Sequence, residues 1–155
     1  MIVQELIAAK VGQMTANGDS FGFLHAEKDW LNILADEANL PLVMLDMPVL
    51  VQPKTLAGGG YEEKYTCKLM FCYKSQLDDN PDDQYASLKK TDSAMRNFIL
   101  LVEADEDNFV TDENVFGQAY QMINALDVNI DAIALPFTFV PRKRPDVCLP
   151  PVTPP

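Results

Sequence analysis

Histidine, cysteine and basic side chains are all scarce in this sequence, and each scarcity removes a class of function. The 155 residues include one histidine, His25, and three cysteines. Acid–base and nucleophilic catalysis need titratable groups that converge, and no Ser, Cys or carboxylate motif surrounds His25. Cys67, Cys72 and Cys148 form an odd set at no metal-ligand spacing, which predicts free thiols in a reducing compartment and no metal or other cofactor. Lys and Arg number 12 against 23 Asp and Glu, a net charge of −11. Phosphate binding needs a basic footprint that this balance withholds. A polyanion can still slide along a like-charged wall without sticking to it. No apolar run approaches the ~20 residues that span a bilayer. The opening MIVQELIAAKVGQM lacks the basic stretch, long apolar run and cleavage site of a secretory leader. These features predict a protein made in the cytosol, without a membrane anchor.

What is present reads as one α+β domain. Hydrophobic residues make up 48% and charged residues 23% of the chain, ordinary values for a globular protein of this size. Ile2, Val3, Leu6, Ile7 and Val11 recur at spacings of three and four, which predicts an amphipathic helix over 2–14. Asn17-Gly18-Asp19 ends it as a turn. Residues 28–36 fit either a helix, through Trp30, Ile33 and Leu34, or a strand, through Leu31, Ile33 and Ala35. "LVMLDMPVLV" is a nearly continuous apolar strand in which Pro48 marks an end or a bulge. "LAGGG" at 56–60 is a flexible loop that lacks the Lys-Ser/Thr ending of a phosphate-binding loop.

"YTCKLMFCYK" alternates. Tyr65, Cys67, Leu69, Phe71 and Tyr73 point one way and bury, while Thr66, Lys68, Met70, Cys72 and Lys74 face solvent or a partner. This puts Cys67 and Cys72 on opposite faces, so they do not pair. "DDNPDDQ" supplies carboxylates to the first turn of the next helix, where the helix dipole favours them. In that helix Tyr85, Leu88, Met95, Ile99 and Val102 form the predicted core stripe, flanked by Phe98 and Leu101. "EADEDN" closes it as an acidic loop without the order of a calcium-binding loop. Residues 115–140 read as two strands joined near Asp127, though "VFGQAYQMI" also has helical spacing. In the second strand Ile133, Leu135, Phe137 and Phe139 alternate with Ala134, Thr138 and Val140, and Pro136 suggests an edge or a bulge. The end, "PRKRPDVCLPPVTPP", is proline-rich and predicted to be extended.

Asp46, inside an apolar strand, and Asp92, on the apolar side of a helix, are the candidates for buried acids with raised pKa. Arg142, Lys143 and Arg144 form the densest positive run. Three charges are few for nucleic acid, and in so acidic a chain they suit an acidic neighbouring subunit.

Taken in order, these segments resemble the tail-terminator-like and head-to-tail connector (neck) proteins of tailed bacteriophages. The resemblance is carried by the N-terminal helix, "SFGF" at 20–23 and "LPLVMLDMP" at 40–48. It continues in the strand "KLMFCYKSQLDD", the helix containing "TDSAMRNFILLVEAD" and the final hairpin ending "FTFVPRKRPDVC". "HAEKDWLN" departs from the Gly-containing turn usual there, and the closing hairpin lacks a Gly-Trp pair.

The resemblance implies an antiparallel sheet of about four to five strands with a long helix on one face, an N-terminal helix and an extended C-terminal tail. Residues 1–141 would form the domain and 142–155 the tail, with 28–36 a strand in a hairpin with 41–51. It further implies a non-enzymatic virion protein at the head–tail junction, assembled as a ring, hexameric in the favoured form. Such a ring stops tail-tube growth, joins neighbouring neck and tail-tube proteins, and leaves a channel through which DNA passes without specific binding. On that reading the subunit contacts are Lys68, Met70, Cys72, Lys74 and Arg142 to Arg144, and Gly58, Gly59 and Gly60 reach the lumen or a partner ring. The competing readings are a non-catalytic adaptor or scaffold unrelated to virions, and a small hydrolase using His25 with Asp46 or Asp92.

Overall fold

A computed structural model describes residues 2–26, 40–75, 81–123 and 130–142. The chain folds as α+β, with two helices on one face of a mixed sheet. Helix α1 is Ile2–Gln13, and the strands are β1 (Gly22–Ala26), β2 (Leu42–Thr55), β3 (Tyr61–Lys74), β4 (Val115–Phe116), β5 (Tyr120–Met122) and β6 (Ile130–Phe139). The long helix α2, Pro81–Glu103, falls between β3 and β4. Strand order is β1-β2-β3-β6-β4, and β5 also pairs with β6.

The sheet differs from the wholly antiparallel one expected. Strand β1 runs parallel to β2, Gly22 opposite Leu42 through Ala26 opposite Asp46. The other edge of that same stretch of β2 is taken by β3. Both edges of 42–46 are therefore occupied, by β1 and β3. The antiparallel hairpin partner of 42–55 is 61–74. Residues 28–36 themselves lie outside the described residues, as do the predicted join near Asp127 and everything after Arg142.

The alternation read in the sequence places the main core. Cys67, Leu69, Phe71 and Tyr73 of β3 join Ile133, Leu135, Phe137 and Phe139 of β6 beneath the helices. Phe98 of α2 sits between them, 5.6 Å from Phe71 and 5.9 Å from Phe137 by ring centroid. Burial of each such side chain stabilises by about 1.5–3 kcal/mol. Helix α1 contributes Val3, Ile7 and Val11, one turn apart on a single stripe, with Met14 after them. Helix α2 packs on the core through most of the expected stripe, with Phe98 and Val102 buried and Met95, Ile99 and Leu101 partly buried against it. Thr91, Ala94, Phe98 and Val102 are its buried positions, whereas Tyr85 is 61% exposed and packs under the Lys89 ammonium. Pro81 opens this helix, as proline can at a position whose N–H has no intrahelical acceptor.

Polar contacts tie the elements together. The turn after α1 docks on α2 because the Asn97 side-chain oxygen accepts from the Thr15 and Ala16 amides. Asn17 donates to the Tyr73 hydroxyl, which in turn donates to Asp19. Asn17 holds φ 56° and Gly18 φ 73°, the left-handed backbone that made this tripeptide a turn signal. Lys10 and Asp105 form an ion pair with side chains only 7% and 10% exposed. Burial opposes the Asp105 charge, but hydrogen bonds from Lys10 and Asn108 outweigh it and hold the carboxyl below its usual range.

The prolines fall where the ladder is interrupted. The β2–β3 register shifts between Asp46 and Leu50, across Pro48. Pro136 is internal in β6, and the strands on its outer side, β4 and β5, break opposite it. Gly117 fills that break: its amide donates to the Pro136 carbonyl, and a Cβ there would come within 2.8 Å of the proline ring.

Candidate interaction surface

The two faces of the sheet are finished differently. On the helix side every row is covered as far as Tyr65 and Phe139, which stack at 5.8 Å. Among the described residues the opposite face is buried at one end, where Leu42, Met44, Met70, Cys72, Ile130, Ala132 and Ala134 form a second cluster. Met70 and Cys72 are fully buried within the chain, so they offer nothing to a second subunit. This corrects their assignment as contact residues. The alternation that put them on the second face was right; that face is simply not all surface.

Beyond that cluster the same face opens. Lys68 and Asp46 are directly opposite each other across β2 and β3, their side chains 2.6 Å apart. The Asp46 carboxylate, opposed by partial burial and helped by the Tyr120 hydroxyl, raises the Lys68 pKa. Lys68 is thus a half-exposed residue already committed to an internal partner. The next row is Leu50, Thr66, Thr138 and Val115, one residue from each of four strands. Thr66 and Thr138 bond through their hydroxyls at 3.0 Å. Leu50 and Val115 at the two ends of this row are 61% and 55% exposed, and Tyr120 nearby is also open.

Beyond Val51 and Tyr65, the last row that still reaches β6, β2 and β3 leave the body of the protein. Four register pairs, Gln52 with Lys64 through Thr55 with Tyr61, form a two-stranded arm with Leu50 and Val51 at its base. At ~3.3 Å per residue it projects about 13 Å. Every residue from Leu50 to Tyr61 is exposed. Val51 and Tyr61 lie on the arm's helix side, as their register with Tyr65 and Thr55 requires, and Leu50 lies on its open side. Gly58 and Gly59 turn the tip with φ 104° and 93°, values that side chains avoid. The amide of Leu56 donates to the Gly60 carbonyl across it. Gly58, Gly59 and Gly60 therefore cap a β-hairpin. The loop read at 56–60 is the turn of this hairpin.

Charge along this region is locally neutralised. Lys54 pairs with Glu62 and Lys64 with Glu113, while Glu63 accepts from the Tyr65 hydroxyl at 2.5 Å. Burial, with Glu63 beside it, pushes the Tyr65 pKa up to about 12.

The other candidate residues are dispersed. His25 sits on the helix side of β1 against Gln4, 3.3 Å away, and near the Met47 sulfur. Asp46 points from the opposite face of the sheet. Asp92 is not buried; it accepts from Arg96 one turn along α2. The three candidate hydrolase residues thus stand apart from one another. Cys67 and Cys72 point to opposite sides, and burial lifts both thiols to about 12, where no thiolate forms at neutral pH. Lys74 is exposed at the end of β3. Arg142 is exposed too, its amide donating to the Asn108 carbonyl, and Lys143 and Arg144 lie outside the described residues. Among the described residues no helix is long and apolar enough to cross a membrane, and no group of three or more His, Cys, Asp or Glu is placed to hold a metal.

Leu50, Val51, Leu56, Tyr61, Val115 and Tyr120 were not singled out in the sequence. For the first four the signal was present in the mixed apolar and polar runs "LVQPKTL" and "YEEKYT" on either side of the glycines, a hairpin pattern. Neither protein-family models nor curated proteins gave a match to this chain.

Proposed function

We propose that this protein is a structural subunit that works by assembling with copies of itself into a ring. Its place would be the head–tail junction of a tailed bacteriophage, where it ends the tail tube and joins it to the neck. The observation that carries the self-assembly is the arm. A two-stranded hairpin is marginally stable on its own, and this one exposes Leu50, Val51, Leu56 and Tyr61 to water. Selection for folding alone gives no reason to build β2 and β3 of 14 residues each when the core uses half their length. Exposed apolar side chains gathered on one projection suit a contact.

The virion setting rests on the order of segments along the chain and on its acidity. A ring whose inner wall shares the sign of DNA lets the polymer slide without binding, since like charges repel. The dispersal of His25, Asp46 and Asp92 favours this reading over the hydrolase.

Mass photometry and native mass spectrometry of the purified protein test the reading. A closed species of one defined copy number is expected, and class averages from electron microscopy should show a central hole. A strictly monomeric protein at every accessible concentration, which also fails to cap tail tubes, overturns it.

A further inference from the structure

We infer that the open sheet face is occupied by the arm of a second copy of this chain. The helix side of one arm, with Val51 and Tyr61, lies on the neighbour's row of Leu50, Thr66, Thr138 and Val115. This deepens the ring reading and rests on it.

Charge selects the occupant. Two copies carrying −11 each repel wherever their acidic surfaces meet. Residues 46–68 carry no net charge, with Asp46, Glu62 and Glu63 balanced by Lys54, Lys64 and Lys68, and Glu113 beside them brings the surface to −1. Most of these are already paired: Asp46 with Lys68, Lys54 with Glu62, and Lys64 with Glu113. Arm and open face together therefore form a nearly neutral, partly apolar surface on an acidic protein. Copies can meet there with little like-charge cost. A nucleic acid or a strongly charged protein gains nothing from it.

Geometry selects the mode. Pro48 and Pro53 remove backbone donors from the outer half of β2, which disfavours addition of a strand along that edge. Face-to-face packing remains. The helix side and the open side of the sheet point in opposite directions, so placing one on the other joins two different patches. Such a heterologous contact repeats from copy to copy and closes into a ring when the rotation permits. Packing open face on open face would instead give an isologous dimer and stop.

Disulfide trapping separates these cases. In a Cys148→Ser background, Val51→Cys or Tyr61→Cys is combined with Val115→Cys or Thr138→Cys, and the assembled protein is oxidised. The native Cys67 and Cys72 are buried and do not compete. Paired cysteines on opposite sides of one sheet cannot join within a chain, so a bond between them must be intermolecular. At least one of the four combinations should yield a ladder of covalent oligomers ending at the ring size, while each single variant yields none. Efficient dimers from Val115→Cys alone would show the isologous mode and overturn the proposal. So would the absence of a ladder from all four combinations in a protein that mass photometry still finds as a ring, in which case the ring reading stands. A monomer throughout overturns both.

Discussion

Strands β2 and β3 run side by side from Leu42 and Cys72 to Thr55 and Tyr61, yet their two halves lie in different surroundings. The inner half is closed on both faces: Val43, Leu45, Leu69 and Phe71 under the helices, Leu42, Met44, Met70 and Cys72 on the other side. In the outer half β2 is exposed from Leu50 to Thr55, while β3 is only half-buried from Glu62 to Thr66. One continuous ladder therefore serves two purposes. Its inner half is held by packing and specifies the fold, while its outer half is held mainly by backbone hydrogen bonds and a few cross-strand pairs. Substitutions should divide accordingly, with inner positions changing stability and outer positions changing association.

The largest effect should come from the body. Phe98→Ala removes a ring that touches both Phe71 and Phe137 and should cost about 3–5 kcal/mol, read as a drop in the urea midpoint. An unchanged midpoint would mean that α2 is not the element closing the core.

Next is the buried ion pair. Lys10→Met leaves the Asp105 carboxylate buried with only Asn108 and should cost roughly 3 kcal/mol. The pH dependence has a definite sign. Asp105 titrates below its unfolded value in the folded protein, so its contribution is complete above about pH 4 and is lost as the pH falls through the lower folded value. Asp105→Asn should remove that acid-side loss, and thermal melts between neutral and acidic pH will show whether the slope flattens.

A smaller cost is expected at the break between β4 and β5. Gly117→Ala pushes a methyl group against Pro136 and should destabilise by about 1–3 kcal/mol. If calorimetry finds no loss, the backbone there is free to move and the β6 edge is softer than its hydrogen bond from Gly117 implies.

The smallest effect on folding belongs to the arm. Val51→Asp and Leu50→Asp sit at exposed positions and should change the folding free energy by no more than about 0.5 kcal/mol. Sedimentation velocity should nonetheless show the assembled species lost or much weakened. A large drop in stability with assembly intact would reverse the division of labour between the two halves.

How much of this was legible in the sequence follows the same division. Where a strand or helix buries one regular stripe, period alone located it, as for α1, the helix-facing residues of β3, and β6. The α2 stripe was right from Met95 to Val102 and failed at Tyr85, because an aromatic at helical spacing looks like core whether or not the sheet reaches that turn. The parallel pairing of β1 with β2 had no local signal, since register between strands some twenty residues apart is set by tertiary packing. Met70 and Cys72 were placed on the correct face, but alternation cannot say which part of a face is covered. Pro48 and Pro136 did mark irregularities, the former as a register shift and the latter as a break in its neighbours. Asp46 is buried, as its place in an apolar strand suggested, but its partner Lys68 became legible only once β3 was paired opposite β2. The exposed arm was the feature least visible, because the mixed runs "LVQPKT" and "YEEKYT" lack the clean apolar–polar alternation of a half-buried strand.

The most direct test shortens the arm. Residues 53–63 can be replaced by Asn-Gly, a two-residue turn suited to joining Gln52 and Lys64 where they already face each other. Native mass spectrometry and a urea melt of the same sample then read association and folding together. The predicted result is a folded monomer whose stability lies within about 1 kcal/mol of the parent. A shortened protein that still assembles to the parent's copy number, or one that no longer folds, would contradict the claim that the arm exists to meet another copy.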